Sequence, residues 1–83
     1  MNEKEITTKW ILTWWQADSD DFVNQIELPL STDEVRKLFY LQETDNVYGC
    51  HIVRASQRIY LKSIVDYEID LNNFDYFIED QSS

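Results

Sequence analysis

Eighty-three residues, 43% of them hydrophobic and 14% aromatic, with one Gly and one Pro, suit a single compact domain and exclude a linker or a disordered tail. Sixteen acids against seven Lys and Arg give a formal net charge of −9, which argues against sequence-independent binding of DNA, RNA or anionic membranes. A single cysteine, Cys50, and a single histidine, His51, exclude an intrachain disulfide, a Cys-rich zinc site and a multi-His metal site.

The opening MNEKEITTKW is a polar lead-in over 1–5 that lacks the basic-then-apolar order of a signal peptide, and no apolar run approaches membrane-spanning length. A cytoplasmic protein is the expectation. Residues 7–16, TTKWILTWWQ, read as a first strand rich in Thr, Ile and Trp. Alternation puts Trp10, Leu12 and Trp14 on one face and Ile11 and Trp15 on the other. A strand apolar on both sides either lies centrally with both faces covered or carries exposed aromatic surface. The turn ADSDD (17–21) leads into FVNQIEL (22–28), with Phe22, Ile26 and Leu28 expected on one face and Val23, Gln25 and Glu27 on the other. The two strands form an antiparallel hairpin.

Pro29 cannot donate to a strand ladder and ends the pairing. Ser31 and Glu34 have capping-box spacing, and Val35, Leu38, Phe39 and Leu41 follow at helical intervals, which predicts a helix over 32–41. VYGCHIVR (47–54) reads as a third strand, in which Gly49 signals a bulge or a close backbone approach. Residues 55–65 fit a short helix capped by Ser56, with Leu61, Ile64 and Val65 on one face, or a strand through 58–61. Asn72 and Asn73 mark a turn before a closing strand, 74–79. The order β-β-α-β-(α)-β predicts an α+β fold: one antiparallel sheet of three to five strands, one or two helices on one face, and a single domain over 1–83 with flexible ends at 1–5 and 81–83.

The most unusual segment is DYEIDLNNFDYFIED (66–80), since no Lys or Arg follows Lys62. Asp66, Glu68 and Asp70 alternate with Tyr67, Ile69 and Leu71, the two-residue period of a strand with one wet face. Phe74–Ile78 reads as core, with Asp75, Glu79 and Asp80 at its rim. Catalytic chemistry has no foothold. Adjacent strand residues point to opposite faces, so Cys50 and His51 make a poor dyad, and Cys50 is expected to be buried. Asp18, Asp20 and Asp21 crowd one turn without the Gly and terminal Glu of a calcium loop, and the lone Gly49 leaves no phosphate-binding loop. The expectation is a non-enzymatic binding protein without metal or cofactor.

An acidic face interleaved with aromatics suits a basic protein partner, because aromatics anchor interfaces while charges orient and accelerate encounter. The expected contact residues are Asp66, Glu68, Asp70, Asp75, Tyr76, Glu79 and Asp80, joined by Asp18, Asp20, Asp21 and Trp15 of the hairpin. Lys9-Trp10-Ile11, then FVNQIELPLSTDEVRKLF, VYGCHIV and IVDYEIDLNNFDYFIE with its Tyr76-Phe77 pair, also resemble a family of small bacterial immunity proteins. These are the antidotes encoded beside colicin-like bacteriocins and contact-dependent growth inhibition toxins. The resemblance implies a cytoplasmic protein, monomeric before it meets its target, that binds the C-terminal nuclease domain of a cognate toxin, with tRNA-cleaving ribonucleases prominent among such toxins. Two alternatives stand beside it. One is an acidic nucleic-acid mimic of phage type aimed at a host nucleic-acid-binding enzyme; the other is a subunit that dimerises through the spare face of residues 10–15.

Overall fold

The first strand, apolar on both sides, takes an interior place in the sheet. In a computed structural model that describes residues 8–81, β1 (Lys9–Gln16) pairs antiparallel with β2 (Phe22–Leu28) on one side and β4 (Phe74–Gln81) on the other. The short β3 (Cys50–Ile52) pairs antiparallel with β4, so the order across the sheet is β2-β1-β4-β3. Helices α1 (Thr32–Leu38) and α2 (Ala55–Leu61) complete a β-β-α-β-α-β chain, the α+β class expected. The lead-in over 1–5, the Thr7 start of the first strand and residues 82–83 lie outside the described residues. Gln81, expected in a flexible end, is the last residue of β4.

One sheet face is packed. Trp10, Leu12 and Trp14 of β1, Leu28 of β2, and Tyr76 and Ile78 of β4 form a core with Val35, Val47, Val53, Leu61 and Ile69. Large side chains dominate it: Trp10, Leu12, Leu61, Ile69 and Ile78 are wholly buried. Burying side chains of this kind contributes about 1.5–3 kcal/mol each before ordering entropy is charged. His51 lies on this covered side, its ring stacked on Phe39 at 4.8 Å, with Nε2 donating to the Val47 carbonyl. The helices are tied to the sheet and to each other through Trp10 Nε1 donating to Thr32 Oγ1 at 3.2 Å and Gln57 Nε2 donating to the Leu38 carbonyl at 3.1 Å.

Helix α1 has the capping box that its spacing predicts. Glu34 N donates to Ser31 Oγ at 3.2 Å and Ser31 N to Glu34 Oε1 at 3.0 Å. The helix ends at Leu38 and not at 41, because Tyr40 enters the left-handed region at φ 57°. Leu41 N then donates to Arg36 O and Tyr40 N to Lys37 O, the paired bonds of a Schellman turn. Phe39 and Leu41 still pack on the core from beyond the helix. Residues 55–65 resolve as helix over Ala55–Leu61, with Ile64 and Val65 packed on the core in the turns that follow. The cap is not Ser56: Arg54 stands at N-cap, and its N–H donates to Gln57 Oε1 at 3.0 Å.

Other boundaries shift. The expected 47–54 strand shrinks to Cys50–Ile52, and Gly49 lies before it at φ +118° with open space around it. The glycine is there for its backbone angle and not for a close approach. Cys50 is exposed, because it pairs with Glu79 on the side of the sheet that no helix covers. In β2, Trp14 pairs with Asn24 and Trp15 with Phe22, so Val23 is an extra residue. That bulge turns Phe22 away from Ile26 and Leu28, with which it was expected to point.

Tyr40 is 77% exposed and so gains little from packing while holding an angle that favours glycine. Tyr40→Gly is expected to raise stability by about 0.5–1 kcal/mol, read as a higher urea midpoint with an unchanged slope.

Candidate functional site: the uncovered sheet face

Helices cover one side of the sheet, and among the described residues no element covers the other. Register places Lys9, Ile11, Thr13 and Trp15 of β1 on this open side. Glu27, Gln25 and Phe22 join them from β2, Asp75, Phe77, Glu79 and Gln81 from β4, and Cys50 and Ile52 from β3. Phe22 is 50% and Ile52 44% exposed. Trp15 packs edge-on against Phe22 at 5.0 Å, a pair that the bulge makes by turning Phe22 onto this side. Ile11 and Thr13 are buried without a covering layer, shielded by neighbours on both flanking strands. Among the described residues the Thr13 hydroxyl has no hydrogen-bond partner, an arrangement that costs about 1–3 kcal/mol.

The residues expected to bind a partner divide into two groups. Trp15, Asp75 and Glu79 come together on the open face, with Trp15 and Asp75 directly paired across β1 and β4. Asp18, Asp20 and Asp21 extend that group at the hairpin turn beside Trp15, where all three are exposed. Asp20 there adopts φ 59°, tolerable for Asp, and its N–H donates to Gln16 O at 2.9 Å. Asp21 Oδ2 accepts from Ser19 Oγ at 3.1 Å.

The other residues do not join this face. Residues 66–71 form an irregular connection and not the alternating strand that Asp66, Glu68 and Asp70 suggested. Tertiary packing overrides the pattern: Ile69 is wholly buried in the core and Tyr67 lies against Trp14 at 5.3 Å, on the helix-covered side. The backbone is held there by side chains instead of a strand ladder. Tyr76 Oη donates to Glu68 O at 3.3 Å and accepts from Asp70 N at 3.1 Å, and Arg58 Nε donates to Ile69 O at 2.7 Å. Tyr76, expected at the interface, is 2% exposed and serves the core. Asp80 pairs in register with Trp10, and its Oδ1 accepts from Gly49 N at 2.8 Å, pinning the chain as it enters β3. Asp66 and Glu68 remain exposed on either side of Tyr67, whose ring packs on the helix-covered side.

Asp70 is a turn-builder. Its carboxylate accepts from Asn73 Nδ2 at 2.7 Å and Asn72 N at 3.1 Å, and its carbonyl accepts from Phe74 N at 3.1 Å. The Asn73 hydrogen bond, then that from the Asn72 backbone, hold its pKa below the ordinary 3.8. At Cys50, partial desolvation and then the Glu79 carboxylate push the thiol up, which keeps it protonated and weakly nucleophilic. Among the described residues no group of three or more His, Cys, Asp or Glu is placed to hold a metal ion, and no helix is long and apolar enough to cross a membrane.

Sequence reasoning missed Phe22, Phe77 and Ile52 as members of the face. Phe77 and Ile52 alternate with core residues and could have been found from strand parity. Phe22 could not, since the bulge reverses it.

A family profile described as a domain of unknown function, DUF7683, matches residues 9–79, from the first residue of β1 to the Glu79 that closes the face. No curated protein matches the chain.

Because the folded pKa of Asp70 is lowered, its carboxylate adds stability that is complete above the unfolded-state value and is lost as pH falls through the folded one. Asp70→Ala should therefore lower the melting temperature at neutral pH and lose less of it than the wild type between about pH 5 and about pH 2. Thermal unfolding followed by circular dichroism across that range checks the sign.

Proposed function

Since the chain belongs to this DUF7683 family, whose description assigns no activity, we propose a function from the open face: an immunity protein that binds and neutralises the basic nuclease domain of a cognate bacterial toxin in the cytoplasm. The observation that carries this reading is the sheet surface on which Trp15, Phe22, Phe77 and Ile52 lie among Asp75, Glu79 and Glu27. Among the described residues Lys9 is the cation on this face, and its Nζ lies 3.8 Å from Glu27 Oε1. A nuclease groove is basic because it binds phosphates, so an acid-rimmed aromatic surface complements it in charge and supplies apolar anchors.

The sheet edges favour docking on the face over strand addition. Edge strand β2 carries the bulge at Val23, is followed by Pro29, and turns the Gln25 N–H onto the Asn24 side chain at 2.8 Å. The opposite edge is only three residues long. Bulges, proline and short edges are the devices that block edge pairing.

Size favours a contact that includes the hairpin turn. Strands of 8, 7, 3 and 8 residues, about 4.8 Å apart with about 3.4 Å per residue, give a face of roughly 400 Å² in projection. A standard interface takes about 800 Å² from each partner. Asp18, Asp20 and Asp21 at the rim beside Trp15 are the natural extension, and together with Asp75 they steer a cationic partner to this end of the sheet.

The test uses the C-terminal domain of a large secreted protein encoded next to this gene. Calorimetry should show tight binding that the Asp75→Lys/Glu79→Lys variant weakens by about 100-fold or more, while Asp66→Lys/Glu68→Lys costs less than about tenfold. Nuclease activity should return with the first variant and stay blocked with the second. Equal losses would shift the site to the 66–70 connection. A neighbourhood with no toxin gene would favour the nucleic-acid mimic.

A further inference from the structure

Strand β4 presents Asp75, Phe77 and Glu79 on the open face: acid, aromatic, acid at a two-residue period. Trp15 lies beside Asp75, Thr13 and Ile52 beside Phe77, and Ile11 and Cys50 beside Glu79. This row is nearly self-mirrored about Phe77. Two copies closing through the face would meet by two-fold symmetry, with the same patch on each side. With the axis at Phe77, the acids of one copy oppose those of the other whether the two β4 strands run parallel or antiparallel. The surroundings do not compensate. Counting Glu27 and the hairpin acids Asp18, Asp20 and Asp21, face and rim hold, among the described residues, six acids against Lys9 and the exposed Arg54 beyond β3.

An uncovered surface with Trp15, Phe22, Phe77 and Ile52 would otherwise favour self-association, because apolar patches of this kind drive it. We propose that Asp75 and Glu79 bar a second copy of the chain from this face and so reserve it for a cationic partner. In a self-dimer the carboxylates would be desolvated against like charge, which is unfavourable. Against a cationic partner the same two groups attract and orient. Four residue steps along the strand separate them by about 13–14 Å, too far to share one cation, so the partner brings a positive charge to either side of Phe77. The proposal rests on the same face as the function above but needs no toxin, so its test stands apart from that reading.

The test compares the full chain with Asp75→Asn/Glu79→Gln and with a control, Asp33→Asn/Glu43→Gln, that removes the same charge from exposed positions off the face. Sedimentation equilibrium from about 1 to about 300 μM reads the association state. Cys50, exposed on the open face, supplies a second readout through labelling with a disulfide reagent. Because removing the Glu79 charge itself makes the thiol more reactive, labelling is compared within one variant at low and high protein concentration. The wild type and control are expected to stay monomeric with concentration-independent labelling. The face variant is expected to double its apparent mass and to label about tenfold more slowly at high concentration. Adding Phe77→Ser should restore the monomer, and Asp75→Ser/Glu79→Thr should dimerise as the first pair does. Three outcomes would overturn the proposal: both face variants monomeric throughout, the control dimerising equally, or the wild type dimerising through Cys50-protected surface.

Discussion

Everything in this molecule depends on the one-sided covering of β1. The strand is apolar on both faces, and its neighbours β2 and β4 satisfy its backbone on both edges. Two short helices and the 62–73 connection bury only the Trp10, Leu12 and Trp14 side. Among the described residues no element packs on the Ile11, Thr13 and Trp15 side, which is left to lateral shielding by neighbouring strands.

The acids follow two distinct physical roles set by where the backbone takes them. Asp70 and Asp80 accept backbone N–H groups and shape turns, and Glu34 does the same at the start of α1. Such carboxylates act as local fasteners. Asp75 and Glu79 project from a strand onto open apolar surface, where Glu79 meets the Cys50 thiol, and neither builds a turn or a cap. Composition alone cannot make that distinction, because all of them contribute equally to a net charge of −9.

The bulge at Val23 links the fold to the site. Without it, strand parity would hold Phe22 with Ile26 and Leu28 on the covered side. With it, Phe22 packs on Trp15 and broadens the exposed aromatic surface at the hairpin end, next to Asp18, Asp20 and Asp21. The same bulge also breaks the outer edge of the sheet, so one local irregularity both enlarges the face and discourages strand addition.

Much of this was legible from residues in order. The hairpin, the Ser31–Glu34 cap, the closing strand and the α+β class all rest on local periodicity and capping, which short-range sterics and hydrogen bonds decide. The two apolar faces of β1 were legible for the same reason. Only the tertiary structure decided which face stayed open, that residues 66–71 are a connection although they alternate like a strand, and that Phe22 leaves the covered side. Alternation records which residues are to be buried. It does not say whether a ladder, a tyrosine hydroxyl or an arginine will hold the backbone, because those partners come from distant parts of the chain.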